Sequence, residues 1–234
     1  VMVCPGGGYG MTSDREAEIV ALQFAAMGYH TAVLRYSEAP AVFPAAILEV
    51  GKSVALIRSH AQEWYVDENR IAIVGFSAGG HLAANLATST SDDVLVAHGY
   101  DPDAVRPNGL MLAYPVITSG PLAHRGSFDS LLGERRNDSQ ALESVSIERH
   151  IDAKTPPVFA WHTVPDETVP YENTLMLIDA CKKAGVSIEA HLFPQGGHGL
   201  SLGTAETAWQ GVNGIEPSIQ IWPQLAVSWM RRTF

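Results

Sequence analysis

The chain has 234 residues, 46% apolar and 17% charged, with a formal net charge of −10. With 15 Lys and Arg against 25 Asp and Glu, no basic cluster can release counterions from a phosphate backbone, which excludes a nucleic-acid-binding surface. No run of about 18 apolar residues spans a membrane, and Cys4 and Cys181 supply neither a disulfide framework nor the paired spacing of a zinc site.

The length suits one domain, residues 1–234, with a substantial core. The low charge suits a large sheet covered on both faces, and the acidic balance a cytoplasmic protein. Arg135-Arg136 and Arg231-Arg232 read as solvated pairs. No signal-peptide pattern opens the chain. Val1 to Cys4 reads as the middle of a strand with no initiator methionine, so the natural protein is expected to begin upstream.

In chain order, that first strand runs into the glycine loop Pro5-Gly6-Gly7-Gly8-Tyr9-Gly10. Ser13-Asp14-Arg15-Glu16 then opens a helix, with Ser13 and Glu16 at capping-box spacing. Val20, Phe24 and Met27 continue at helical intervals, and Gly28 is the C-cap. Thr31 to Leu34 is a short strand. A second helix begins near Pro44 with Ile47, Val50, Val54, Ile57 and Ala61 on one face. The turn Asp67–Arg70 leads to the apolar strand Ile71 to Val74, which reads as a buried parallel strand.

The next residues, Gly75-Phe76-Ser77-Ala78-Gly79, place a serine between that strand and the small-residue helix carrying Gly80, Ala83, Ala84 and Ala87. The bare pattern arises by chance in a glycine-rich chain, and its bland reading is a turn with a capping serine. The strand-to-helix context is what points to a nucleophile, because a sharp elbow needs small neighbours, strains the serine backbone and presents its hydroxyl at the sheet's carboxyl edge.

Gly109 to Tyr114 is the next strand. Residues 115–156, polar and helix-prone, form an insertion long enough to cover a site. Strand Val158 to His162, helix Glu172 to Ala184 ended by Gly185, strand Ser187 to Phe193 and helix Pro223 to Arg231 complete the chain. Strands alternating with helices predict an α/β fold with a mainly parallel sheet and active residues at the strands' carboxyl ends.

A serine nucleophile needs a base and an acid that orients it. Of nine histidines, His198 lies in Gln195-Gly196-Gly197-His198-Gly199 just beyond the last strand, where glycines let the backbone bring an imidazole over the sheet edge. His191 sits inside that strand, His81 one turn along the nucleophile helix, and His162 at a strand end. Asp166 follows the Val158–His162 strand and gives the order Ser, Asp, His; Glu167 is its competitor, and helix capping is the bland role for Asp166. The oxyanion hole draws on Ala78 N–H and on the glycine loop, with Gly7 and Gly8 as the chosen donors. The loop lacks the G-x-G-x-x-G spacing and the lysine of nucleotide sites.

With Ser77, Asp166, His198 and the glycine loop in place, the chain resembles the α/β-hydrolase superfamily throughout. PGGGYG, SDRE, GFSAGGHLA, the PVIT segment after Tyr114, LLG at 131–133 and GGHG resemble bacterial acetyl-xylan and xylanase-associated esterases. Two departures are Pro5, where many relatives carry a loop-ordering histidine, and the missing leading antiparallel strands. The resemblance implies a serine esterase acting on a small ester, an O-acetyl group on a sugar or xylo-oligosaccharide, with no metal, no cofactor and no membrane partner; a homo-oligomer is compatible with it. Tyr9, Tyr114 and Trp161 fall near strand ends as candidates to stack on a sugar, with pocket wall or core as the plainer role. Two readings compete. A prolyl-oligopeptidase-type peptidase shares the triad and its order, but the large extra domain and N-terminus-binding acids of such enzymes are not visible. A hydrolase-fold protein that binds without turnover would not need the full set of residues.

Overall fold

The computed structural model describes residues 1–88, 91–210 and 213–234. Among these residues, six parallel strands form one sheet: β1 (Met2–Cys4), β2 (Ala32–Val33), β3 (Ala72–Phe76), β4 (Gly109–Ala113), β5 (Val158–Thr163) and β6 (Ile188–Phe193), in the order β2-β1-β3-β4-β5-β6. The expected strands are all present, with ends shifted by a residue or two.

Helices cover both faces because successive strand side chains alternate. Ile73, Leu110, Leu112, Val158 and Ala160 face one layer, packed by α2 (Ala45–Ser59), α3 (Ala78–Ala87), α4 (Asp92–Ala97) and α5 (Pro102–Val105), and by α6 (Arg125–Leu132), α7 (Ser139–Ser144) and α8 (Glu172–Ala184). Val74, Phe76, Met111, Phe159 and Trp161 face the other, packed by α9 (Trp222–Thr233) and by Val20, Ala21 and Phe24 of α1 (Glu18–Ala26). Trp161 stacks on Trp222 with ring centroids 5.6 Å apart. Burying a side chain of this kind contributes roughly 1.5–3 kcal/mol.

Local signals explain most of the ends. Gly185 closes α8 in the left-handed region at φ 74°, a conformation that spares glycine the Cβ clash. Pro223 occupies the first turn of α9, where its missing N–H costs no hydrogen bond. The expectation that Ser13 and Glu16 cap the first helix is corrected. Residues Asp14–Glu16 form a separate 3-10 turn, Ser13 makes no side-chain capping bond, and α1 begins at Glu18. The Glu16 carboxylate is instead drawn inward by buried donors.

Burial pushes the Cys4 and Cys181 thiols up to about 12, so both stay protonated at neutral pH. Among the described residues no helix is long and apolar enough to cross a membrane.

Candidate active site

The elbow is built by crowding. A Cβ on Gly75 would lie 2.4 Å from the Gly79 carbonyl oxygen, and one on Gly79 would lie 2.2 Å from the Cys4 carbonyl oxygen and 2.3 Å from that of Pro5. Only glycine fits either position. Between them Ser77 is held at φ 52°, a region costly for a side-chain-bearing residue. Its N–H donates to the Ala113 carbonyl, and its own carbonyl accepts from His81 N–H and Val116 N–H.

Three loops meet at Ser77. Its Oγ lies 2.9 Å from His198 Nε2, and His198 Nδ1 lies 2.6 Å from Asp166 Oδ2. Nδ1 faces a carboxylate and therefore carries the ring proton, which leaves Nε2 free to accept the serine proton. The His198 ring stands edge-on to Tyr114, centroids 4.9 Å apart. Asp166 is 5% exposed. Its Oδ1 accepts from Thr168 N–H and Val169 N–H, both at 2.9 Å. Burial pushes the Asp166 carboxyl upward, but bonds from His162 and His198, the charge of His198 and the Val169 N–H outweigh it and hold the group well below the usual carboxylate range. Glu167, the sequence competitor, is exposed.

Facing Ser77 across β1 and β3 is the glycine loop. Gly7 and Gly8 adopt φ 131° and 65°, and among the described residues no acceptor takes the Gly7, Gly8 or Ala78 N–H. Ala78 opens α3, whose N-terminal dipole favours negative charge.

The remaining histidines separate by environment. His81 is fully buried: its Nε2 donates to the Val145 carbonyl at 2.8 Å and its Nδ1 accepts from Tyr9 OH at 2.8 Å. Burial lowers it to about 4 against the support of the Val145 carbonyl. His191 lies on β6 against Glu189. His162 is buried beside Asp166.

The sugar-stacking expectation for Tyr9, Tyr114 and Trp161 is corrected. They are 2%, 0% and 0% exposed, and each packs its faces against other aromatic rings. Tyr114 backs the His198 ring, while Tyr9 and Trp161 belong to the two core layers.

Two residues near the site escaped sequence reading. His124, in the insertion, lies beside the glycine loop: a Cβ on Gly8 would be 3.8 Å from its Cε1, and its Nδ1 bonds Ser127 Oγ at 2.8 Å. Burial and then His198 hold it below its ordinary value against the pull of Asp166. Pro121-Leu122-Ala123-His124 carries no pattern that could have revealed it. The other is Glu16, whose spacing from Ser13 suggested a surface cap. No group of three His, Cys, Asp or Glu among the described residues is arranged to hold a metal ion.

The BD-FAE family model matches residues 1–180. Over 217 residues the chain is 33% identical to endo-1,4-beta-xylanase B of Butyrivibrio fibrisolvens, covering 90% of this chain and 34% of that protein. It is 30% identical over 207 residues to an acetylxylan esterase of Xylanibacter ruminicola, covering 86% and 40%. It thus spans between a third and two-fifths of the length of these relatives. Among solved structures, an acetyl ester-xyloside bifunctional hydrolase from Caldicellulosiruptor lactoaceticus superposes with a TM-score of 0.85 at 36% identity, covering 99% of this chain and 81% of that one.

Proposed function

The chain belongs to the BD-FAE family and has the α/β-hydrolase fold, and from that premise we propose that it is a serine esterase that removes small acyl groups, acetyl above all, from sugars or xylo-oligosaccharides. The observation that carries the reading is the continuous relay from Ser77 Oγ through His198 to Asp166, at 2.9 Å and 2.6 Å. The relatives' names add acetyl esters and xylan to it.

In this reading Ser77 Oγ attacks the ester carbonyl carbon while its proton passes to His198 Nε2. The carbonyl oxygen gains charge against Ala78, Gly7 and Gly8 N–H. His198 then returns the proton to the departing sugar oxygen, leaving an acyl-serine, and Asp166 stabilises the imidazolium at each stage. Water then attacks the acyl carbon, giving a proton to His198, which passes it to Ser77 Oγ as the acid departs. Residues 115–156 serve as a cap, with His124 beside the acyl carbonyl.

The test is hydrolysis of 4-nitrophenyl acetate, butyrate and octanoate and of acetylated xylo-oligosaccharides, with Ser77→Ala as the paired variant. Acetate-preferring turnover that falls about 10⁴-fold or more in the variant supports the proposal. Turnover that survives the substitution, or turnover confined to peptide amides, sinks it.

A further inference from the structure

Glu16 is 3% exposed and lies in the Asp14–Glu16 turn. A buried carboxylate is costly unless its oxygens are hydrogen-bonded, and both are. Oε2 accepts from Gly6 N–H at 2.8 Å and Oε1 from Tyr114 OH at 2.6 Å. Tyr114 OH in turn accepts from Ser201 N–H at 2.9 Å. Ser201 Oγ donates to the Arg15 carbonyl at 2.6 Å, and Arg15 Nη1 donates to the Gly199 and Thr207 carbonyls at 2.9 and 2.8 Å.

Both ends of this network reach the site. Gly6 precedes the candidate oxyanion donors, and Gly199 and Ser201 follow His198. A Cβ on Gly6 would be 2.7 Å from Glu16 Oε2 and 3.0 Å from Ser77 Cβ, so the carboxylate, the loop and the elbow are in mutual contact.

We propose that Glu16 is a positioning residue, with Tyr114 as its link, that clamps the Gly6-Gly7-Gly8 loop and couples it to the loop bearing His198. The proposal rests on the esterase reading for its catalytic consequence, though not for the clamp itself. A carboxylate has the wrong charge to stabilise an oxyanion, so a purely electrostatic Glu16 would slow the reaction and its neutralisation would speed it. A clamp predicts the reverse. Glutamine keeps one acceptor for Gly6 N–H, but its NH2 then faces a Tyr114 oxygen that already accepts from Ser201 N–H, and the tyrosine proton loses its acceptor, so the bridge is weakened.

The experiment reads hydrogen exchange in peptides covering 5–10 and 196–203, together with 4-nitrophenyl acetate kinetics, in wild type, Glu16→Gln, Glu16→Asp and Tyr114→Phe. Expected are faster exchange in both loops for Glu16→Gln, with kcat down roughly 10–100-fold and KM changed less than about three-fold. Glu16→Asp, which keeps the charge but withdraws it, should loosen 5–10. Tyr114→Phe should loosen 196–203 and leave 5–10 protected. Unchanged exchange in both loops overturns the clamp, as does a faster kcat in Glu16→Gln. Uniform loosening that includes β3 and β4 also overturns it, by reducing Glu16 to a general stabiliser. Exchange is measurable without turnover, so a wild type lacking Ser77-dependent hydrolysis defeats the esterase reading alone.

Discussion

His162 and His198 draw on the same oxygen. Asp166 Oδ2 accepts from His198 Nδ1 at 2.6 Å and from His162 Nε2 at 3.2 Å, while the latter also donates to the Val169 carbonyl at 2.9 Å and His162 Nδ1 accepts from Thr174 Oγ1 at 2.8 Å. The second histidine therefore anchors the acid from the side away from Ser77. His162→Leu would strand the Thr174 hydroxyl and the Val169 carbonyl in a fully buried place, at a cost of about 2–4 kcal/mol. Activity should fall only several-fold, because the two backbone N–H groups still hold Asp166. Urea unfolding and kcat per folded enzyme check this; a fall of kcat beyond about 100-fold at unchanged stability would put His162 in the proton path.

Asp166→Asn should be far more damaging to rate than to fold. The two backbone donors at Oδ1 fix the amide oxygen there, which turns the amide NH2 toward His198 Nδ1. The ring must then carry its proton on Nε2, where it cannot accept from Ser77. A loss of about 10⁴-fold in kcat is expected, with Glu167→Gln near wild type. The reverse ranking in a steady-state assay would exchange the acid's identity.

Gly79→Ala should fail through the backbone. Its Cβ would meet the Cys4 and Pro5 carbonyl oxygens at 2.2 and 2.3 Å, and neither can swing away as a side chain would. Overpacking of this kind costs about 1–3 kcal/mol or more. A thermal midpoint within a degree of wild type with full activity would show that β1 and the elbow are not in the contact described.

The pH dependence of stability follows from His81. Its folded value of about 4 lies below its ordinary 6.5, so between these limits the unfolded chain binds the extra proton. Stability therefore rises with pH across that window and is lost as pH falls from about 6.5 toward 4, by roughly 3 kcal/mol. Denaturant midpoints at pH 7, 6 and 5 should show the slope in wild type and a shallower one in His81→Asn. Equal slopes would remove His81 from the account.

The parallel sheet, the elbow and the three residues of the relay were legible in the sequence because each rests on local signals: apolar runs, glycines at fixed offsets and a histidine framed by glycines after a strand. The environment of a side chain was not legible. Tyr114 directly follows β4, but Trp161 lies within β5 and Tyr9 five residues beyond β1, and which way each ring turns depends on tertiary neighbours such as Trp222 and His81, which no local pattern encodes. Glu16 carried a capping signature, and a buried pair of donors from residues 6 and 114 outcompeted the helix end for its carboxylate. His124 reached the site through the path of residues 115–156, a route set by tertiary contacts alone.

β1 and β3 are neighbours in register, with Cys4 opposite Gly75, so the glycine loop and the serine elbow leave the sheet at one level, about a strand spacing apart. Crowding at Gly79 then ties each to the other's backbone. A change in one must be answered in the other, which makes the pair a poor place for divergence. Under the proposed esterase reading, the freedom to accept new esters falls to residues 115–156, tied at their start by Val116 N–H to the Ser77 carbonyl. Descendants of this scaffold would be expected to keep the inner half of the site nearly fixed and to write their substrate histories in that one stretch.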